Sequence, residues 1–558
     1  MDDPATSVIA NWQRLEGERG TWKSHWQQVA DYMLPDRGDY VNARSPGQKR
    51  MQLIVDSTAP WALQQFSAGM HSLLTSSTLK WFALLPDDDR LLDLPGVQQW
   101  LDDVGDRMYS VFNSPRHNFA SQSHELYADL GSIGTAVMAV LESPKSGILF
   151  SGKHLKECVI AENEEDRVDT LIRKWEWTAK QAVQQWGKAA GEGVLRAFAV
   201  KPESKFSFLH SVQPRIDRKT GRSDATNMPF ESRYVSMADG ATIAEGGFDE
   251  FPYLVPRFSK AVGEIYGRGP GMMVLPDVKM LNKMTELVLK SGQIAVQPTL
   301  LVPDDGYFLK VRSVPGGIIP YRAGSKDEIK PLQTGGQVQL GMELLNSLKQ
   351  QILRGFYVDW LLLATDPMNP ASAGKGITAT YTLHDRDQKM QLLSPLLARL
   401  QSEFLGPLID RVFAIMMRQS MRFRFGPGSP LPPPPPGLSG QQIKVEYISP
   451  IAVAQRSSEL DAVGRLIQTA MMLGQVDPTA PRTLDIDFIL RRTGRDLNTP
   501  ARALRSAEDV QAERAALAEQ QAQAAQVQSL AGVAGAARDG GAAAHSLAQA
   551  FQPQQQAS

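Results

Sequence analysis

With 558 residues, the chain is too long for a single hydrophobic core, and its length suggests roughly three or four modules. Hydrophobic residues make up 42% and charged residues 21%, values close to those of soluble globular proteins, which excludes global disorder and a fibrous repeat. The 59 lysines and arginines nearly balance the 60 aspartates and glutamates. The overall charge therefore gives no sign of a protein that wraps nucleic acid, and any contact with DNA would have to be local.

The single cysteine, Cys158, excludes an intrachain disulfide and a zinc site built from several cysteines, and it fits folding in a reducing cytoplasm. No apolar run approaches the ~20 residues that span a bilayer. The first residues also lack the basic start and apolar core of a signal peptide. We therefore expect a protein that stays in the cytosol until it is assembled, without a membrane partner.

The N-terminal third is predicted to be largely helical. Apolar residues recur at i, i+4, i+7 and i+11 from Trp22 to Met33, which predicts a helix over residues 6–34 that Pro35 ends. Two more amphipathic helices are predicted over 58–74 and 96–112. From residue 136 to 256 the pattern changes to short runs rich in β-branched and aromatic residues, which indicates strands. The strands are predicted over 137–141, 168–177 and 206–212.

Two local signals refine this β-rich part. The polar segment Asp217–Arg222 lies between two such runs and predicts the turn of a β-hairpin. Residues 178–199 read as a helix with Thr178 as its N-cap.

Two amphipathic helices are then predicted on either side of a small insertion. The first is predicted to open at Pro276 and to last to about Val296, a rod of roughly 30 Å. The insertion, residues 298–336, is rich in glycine and proline and reads as a compact β-rich segment. In the second helix an apolar residue recurs every four positions from Leu344 to Phe356.

The remainder of the chain is more varied. Residues 365–376 have no periodicity, and a long helix is predicted over 378–423, kinked or restarted at Pro395 and Pro407. The proline run 432–436 predicts a stiff polyproline II spacer, and 443–448 a short strand. From Gln511 the composition is dominated by alanine and glutamine, which predicts a weakly held helix or disorder.

Catalytic motifs are almost absent. Gly374–Gly376 superficially resembles a phosphate-binding loop, but Gly376 and Pro370 stand where Walker A requires Ser or Thr and a glycine. The glycine-rich segment 267–271 has the wrong spacing for a dinucleotide fingerprint and reads as a tight turn. The eight histidines show no metal-ligand spacing. We expect no enzyme activity, no cofactor and no metal site.

One face of the helix after Pro276 is basic. Lys279, Lys283 and Lys290 lie within about 40° of one another on a helical wheel. Another side is apolar and consists of Met280, Met284, Leu287, Val288 and Ile294. In a single subunit such lysines usually form a solvated surface. In a closed ring they would form stacked rings of positive charge that attract duplex DNA without reading its sequence, moderated by the nearby Glu286.

The order of these segments resembles the portal proteins of short-tailed bacteriophages, which are head-to-tail connecting proteins. The resemblance extends roughly from Trp12 to Ala454 and lies in the order and spacing of several motifs. These motifs are Leu73–Phe82, Phe248–Phe258, Tyr266–Met272 running into Leu275–Asn282, Pro315–Ile319, Ile377–Thr380 and Phe404–Arg411.

The resemblance implies an α+β portal-type subunit that forms a cyclic dodecamer at one capsid vertex. It implies a wing (1–265, helical N-terminus plus a β-rich part), a first stem helix (266–297), a clip (298–336), a second stem helix (337–362), a channel loop (363–377), a long helix returning to the wing with the proline spacer and a strand (378–454), and a helical crown (455–558). Ring contacts are heterologous, so both sides of a subunit must be adhesive, and the apolar stripes of the two stem helices are candidates.

The implied function is a conduit for packaging and ejection of double-stranded DNA, within the virion and assembled in the host cytoplasm. The implied partners are terminase, the major capsid and scaffolding proteins, and then the tail adaptor. The candidate DNA-channel residues are Lys279, Lys283, Lys290 and Lys375, and the candidate channel loop contains Asp366, Pro367, Met368, Asn369, Gly374 and Gly376. Two alternatives stay open: another head–tail structural or adaptor protein, and a soluble nucleotide-binding enzyme.

Overall fold

The computed structural model describes most of the chain up to residue 297 and separate stretches beyond it. The described residues are 3–41, 45, 47–78, 80–86, 88, 90–91, 94, 96–219, 221–222, 224–297, 300–303, 318–321, 330–331, 338–365, 395–436, 438, 443–447, 463–473, 484, 486–496, 510 and 512–523. They fall into two compact units. The first unit contains Met1–Asp87, Asp103–Pro434 and Gly440–Glu459, and the second contains Asp88–Asp102, Pro435–Ser439 and Leu460–Ser558.

Helices dominate the N-terminal part of the chain. They are α1 (Pro4–Glu18), α2 (Gly20–Met33), α3 (Thr58–Leu74), α4 (Val97–Asn113) and α5 (Phe119–Ile133). The single helix predicted over 6–34 is wrong in one respect, because it is interrupted at Arg19. The buried Arg19 guanidinium donates to the carbonyl oxygens of Leu155 and Cys158, at 2.6 and 2.7 Å, and this distant contact fixes the break. The predicted boundary at Pro35 is confirmed.

A five-stranded antiparallel sheet lies at the centre of the β-rich part. Its order is β4 (Cys158–Glu162), β5 (Val168–Thr178), β6 (Lys205–Pro214), β7 (Phe230–Ser236) and β8 (Ala241–Phe248). The predicted hairpin at 217–222 is confirmed, since it joins the paired strands β6 and β7. A smaller sheet contains β2 (Val137–Ser143), β3 (Gly147–Lys153) and β9 (Tyr253–Leu254). Helices together with antiparallel sheets confirm the α+β class.

The five-stranded sheet is covered by helices on both faces. Neighbouring residues on a strand point to opposite faces. On β6, Leu209 therefore packs with Val8 and Leu15 of α1, whereas Phe208 packs with the helices after β5. Those helices are α6 (Ala179–Trp186) and α7 (Glu192–Val200).

The single helix predicted over 178–199 is wrong, because it is divided in two. Gly187 and Gly191 have φ values of +57° and +102°, which turn the chain between α6 and α7. The predicted N-cap is confirmed: the Thr178 hydroxyl accepts from the Gln181 N–H, and the Gln181 side chain accepts from the Thr178 N–H in a capping box.

Helix α8 (Pro270–Val296) begins six residues earlier than predicted, so the predicted start at Pro276 is wrong. Pro270 occupies the first turn, where a proline costs no hydrogen bond, and Pro276 lies inside the helix. The second predicted helix is also divided. Helix α9 (Val338–Gly355) ends before Tyr357, whose φ is +57°, and α10 (Val358–Thr365) follows.

Between α8 and α9 the structure has three short strands. These are β10 (Leu300–Pro303), β11 (Ile318–Tyr321) and β12 (Lys330–Pro331), with β10 in the middle of the sheet. Later in the chain, residues 395–400 are helical, a π-helical turn spans Gln401–Leu405, and α11 (Gly406–Arg422) follows. The predicted disturbance at Pro407 is confirmed, because this proline lacks the N–H that a regular helix would use there.

The predicted strand near residue 443 is confirmed as β13 (Ile443–Tyr447), which pairs in antiparallel fashion with β1 (Phe82–Pro86). In the second unit the structure describes helical residues 463–473 and 512–523 and α12 (Ile486–Asp496), and Arg514 forms an ion pair with Asp487. The predictions for residues 378–394 and 524–558 lie outside the described residues. No helix in the described ranges is long and apolar enough to cross a membrane.

A buried carboxyl makes stability depend on pH. Asp129 of α5 lies 3.0 Å from the Arg37 guanidinium, with Glu125 and Tyr40 nearby. Burial raises the pKa of Asp129 to about 7, and the attraction of Arg37 only partly offsets this. Because the folded pKa exceeds the unfolded one, Asp129 holds its proton more tightly when folded, and stability falls as the pH rises from about 4 to 7.

We therefore expect Asp129→Asn to remove part of this dependence. Relative to the wild type, the variant should gain stability between pH 5 and pH 8, which thermal unfolding followed by tryptophan fluorescence would measure. The exposed Asp217→Asn is the control and should show a constant difference. If the stability difference from the wild type is the same at both pH values for Asp129→Asn as well as for the control, the raised pKa assigned to Asp129 is wrong.

Candidate functional site

The candidate site is the antiparallel pair of α8 and α9. The two helices come especially close at two points about four turns apart, where Gly355 meets Val274 and Gly341 meets Val288. A Cβ on Gly341 would lie 3.0 Å from Cγ2 of Val288, and a Cβ on Gly355 would overlap Cγ1 of Val274. The two glycines thus let the helix backbones approach each other and fix the register of the pair.

A buried asparagine anchors the middle of α8. The Asn282 side-chain oxygen accepts from the N–H groups of Val55 and Asp56, at 2.7 and 3.0 Å, while its amide donates to the Val278 carbonyl. Asp56 in turn forms a 3.0 Å ion pair with Lys349 of α9. Both helices are therefore tied to the segment that precedes α3.

Lys279 is engaged with α2. Its Nζ donates to Gln28 Oε1 at 2.7 Å and lies 6.0 Å from the centre of the Tyr32 ring. This contact holds the amine against the neighbouring helix. Of the three predicted lysines, it is the one least available to a ligand.

Lys283 and Lys290 share one carboxylate. Their amines lie 2.9 and 2.6 Å from Glu286, and the lysine side chains are 65% and 60% exposed. Hydrogen bonds from Lys290 and Lys283 lower the pKa of Glu286 to about 2, so the carboxylate stays ionised at neutral pH. The three groups together carry one net positive charge per subunit.

The three sides of α8 differ in character. At 100° per residue, Val274 and Val288 face α9, and the lysine side points in roughly the opposite direction. The predicted apolar side is partly exposed, and its predicted role in ring contacts stays a prediction. Met280 and Leu287 are 58% and 49% exposed. The buried face holds Val274, Val278, Leu281 and Asn282 instead, because α2, α5 and α9 pack there.

Two of the motifs, Phe248–Phe258 and Phe404–Arg411, lie together around two buried arginines. Arg257 is 1% exposed and donates to both carboxylate oxygens of Glu403, at 2.7 and 3.1 Å, and it forms a further ion pair with Glu162. Arg411 forms an ion pair with Glu250 and donates to the Val140 carbonyl. The segment 248–258 is therefore joined to residues 403–411 by charge pairs, and these pairs have a structural role.

The glycine motif 266–272 has a packing role that spacing alone did not reveal. A Cβ on Gly269 would lie 2.6 Å from the Leu130 carbonyl oxygen, and one on Gly271 would lie 2.8 Å from that of Ser132. These glycines let the start of α8 rest directly on the end of α5. Gly341, Gly355 and Asn282 were also missed, since a lone small or polar residue in an amphipathic pattern gives no signal of its partner.

Several predicted site residues lie outside the described residues. They are Asp366, Pro367, Met368, Asn369, Gly374, Lys375 and Gly376, so the channel loop stays a prediction. In the part of the chain that the structure describes, no group of three or more His, Cys, Asp or Glu side chains could hold a metal ion.

The subunit is thus an α+β fold in which α8 presents an exposed basic side next to a partly exposed apolar side. The family model for "Bacteriophage head to tail connecting protein" matches residues 5–504. The chain therefore belongs to the bacteriophage head-to-tail connecting proteins, as its motifs predicted.

Two relatives carry portal names. The chain is 30% identical over 487 residues to the "Probable portal protein" of Bordetella phage BPP-1, covering 86% of this chain and 84% of the relative. It is 30% identical over 485 residues to the "Portal protein" of Salmonella phage epsilon15, covering 85% and 84%. A chain of the "Virion of native gene transfer agent (GTA) particle" aligns over 78% of this chain and 94% of its own length. Its TM-score of 0.33 and identity of 9% are too low to support a conclusion.

Proposed function

We propose that copies of this chain close into a ring at one capsid vertex and act as the portal through which double-stranded DNA is packaged and ejected. Family membership and the portal names of two relatives support the general role. The observation that carries the detailed proposal is the division of α8 into a lysine side and a side that faces α9.

The helix pair is proposed to form the channel wall, with α8 inside and α9 outside. In this arrangement Lys283 and Lys290 face the channel, and α9 lies behind α8 because Val274 and Val288 point away from the lysines. Rotational symmetry would repeat the lysines around the axis. Duplex DNA carries one negative charge per ~1.7 Å, so these rings would attract its backbone without reading sequence.

Glu286 limits the strength of this attraction. With one net positive charge per subunit at this level, the channel wall would attract the DNA phosphates weakly. Each exposed lysine could then release one phosphate and bind the next as the DNA moves. A conduit requires DNA to move, and a strongly basic wall would hold it. The ion pair is therefore part of the proposed function.

The finer assignments rest on the family resemblance. We propose a dodecamer in which α8 and α9 are the stem, residues 298–336 the clip, 363–377 the channel loop and 455–558 the crown. Terminase, capsid and scaffolding proteins, and later the tail adaptor, would be its partners. The chain would serve as a structural component without catalysis.

Charge reversal of the two lysines that pair with Glu286 tests the channel. Lys283→Glu with Lys290→Glu changes the local charge from one positive to three negative per subunit, because Glu286 remains. Among particles that contain an intact ring, we expect those filled with DNA to fall at least about tenfold, since repelled DNA must cross a barrier of roughly 1.4 kcal/mol or more.

Two variants control this experiment. Lys188→Glu alters an exposed lysine of the segment between α6 and α7 and should package normally. Lys283→Gln with Lys290→Gln should give an intermediate yield. Normal packaging and retention of DNA by the double-glutamate particles would exclude a channel role for these lysines.

A further inference from the structure

The far end of the helix pair is apolar on two opposite sides. The sides are defined by looking along α8 from its N-terminus, with α9 above and the lysines below. The left side carries the half-exposed side chains of Met280 (58%), Leu287 (49%), Leu340 (51%) and Leu344 (47%). The right side carries those of Leu289 (56%), Val296 (82%) and Met342 (56%).

Such a distribution is unusual for an isolated surface helix. Single exposed apolar residues are normal on protein surfaces, and a surface helix usually has one apolar stripe. Here seven large apolar side chains gather on both flanks of one helix pair. Leu287 lies at the same height as Met342, and Leu340 at the same height as Leu289. Exposed apolar surface of this kind marks a site of association.

Charge also differs between the flanks. Around α8, Glu286 lies toward the right side and Lys283 toward the left side of the lysine surface. A neighbouring copy in the same orientation would bring its Lys283 toward this copy's Glu286. The apolar flanks and the charged groups therefore favour the same arrangement.

We propose that the left side of one copy packs against the right side of the next, with Leu287 of one helix pair beside Met342 of its neighbour. This contact is heterologous, because two different surfaces meet, and it can be repeated around a ring. Leu287 and Met342 are suited to this because they lie at the same height in the antiparallel pair, next to the contact of Val288 with Gly341. The inference rests on the proposed ring and assigns its contact surface.

Paired cysteines test the contact in the full chain. The native Cys158 is buried, so only the introduced thiols should react. With Leu287→Cys and Met342→Cys in one chain, mild oxidation or a short bismaleimide should give a ladder of covalent oligomers that ends at one closed species. Each single-cysteine variant should give no ladder, since a heterologous contact brings different residues together.

Other outcomes overturn the proposal in distinguishable ways. Dimers from either single variant would indicate an isologous contact. If the double variant gives no ladder although electron micrographs show intact rings, the contact between copies lies elsewhere. Residues 298–337 would then be the candidates that cover these flanks. Absence of rings would instead remove the proposed function. Leu287→Cys with Val200→Cys is the matched control, because Val200 is 87% exposed but lies in α7.

A second variant needs no cross-linking. Leu289→Asp places a carboxylate in the proposed contact and should shift rings toward single subunits in sedimentation, without unfolding the exposed site. Val262→Asp, at a fully exposed position of the loop before α8, should leave the rings unchanged. Equal ring yields of the two variants would contradict the proposed contact.

Discussion

Arg257→Met is expected to destabilise the first unit by about 3–5 kcal/mol, because it leaves the largely buried carboxylate of Glu403 without its partner, whereas Glu162 keeps its ion pair with Lys260. Arg257 is 1% exposed, and the partner side chains of Glu403 and Glu162 are 16% and 13% exposed. Methionine fills part of the same volume, so the loss of stability is due mainly to removal of the positive charge. Denaturant unfolding followed by tryptophan fluorescence would measure the change in the free energy of unfolding.

An exposed arginine supplies the control for this prediction. The Arg167 side chain is 71% exposed and lies 3.8 Å from Glu165, so Arg167→Met should change stability by less than about 1 kcal/mol. Adding Glu403→Gln to Arg257→Met should recover part of the loss, because one buried negative charge is removed. Similar losses for Arg257→Met and Arg167→Met would show that the buried network is not what holds these segments together.

Gly134→Ala is expected to be among the most damaging small substitutions in the chain. Gly134 ends α5 with φ of +80°, a left-handed conformation that costs other residues about 1–2 kcal/mol. A Cβ at this position would also overlap the backbone nitrogen of Gly269, just before α8. Overpacking adds about 1–3 kcal/mol, and backbone atoms have no alternative rotamer to relieve it.

Gly263→Ala separates the conformational cost of alanine from the cost of overpacking. Gly263 has a nearly identical φ of +77°, but no atom lies within 4 Å of a Cβ placed there. Its alanine variant should lose only the conformational part, whereas Gly134→Ala should also disturb the seat of α8 and lower the yield of rings. Equal stability of the two variants would show that the close approach of α5 and α8 has little energetic weight.

The motifs of the chain could be recognised from residue order and spacing before the contacts of their residues were known. Arg257 and the glycines near α8 lie within segments that the sequence presents as short, ordered motifs. The glycine-rich segment 267–271 was predicted to be a tight turn. In the structure Arg257 and these glycines join strands, α5, α8 and the π-helical turn, so they are needed for packing.

Local patterns predicted most elements well, because periodicity and capping act over a few residues. The helix over 58–74, the hairpin at 217–222, the Thr178 cap and the strand near 443 follow from such signals. The errors occur where distant contacts override them. Arg19 breaks a helix through the carbonyls of Leu155 and Cys158, and α8 starts at Pro270 because Gly269 rests on the end of α5.

The sequence by itself determined the α+β class, the family, the two amphipathic helices and the lysines on one of them, since each is carried by residue order and spacing. Only the tertiary structure decided that Lys279 contacts Gln28, that Lys283 and Lys290 share Glu286, and that Met280 and Leu287 are exposed. The physical reason is that a helical wheel fixes directions around one axis. Which direction is buried depends on partners far away in the chain.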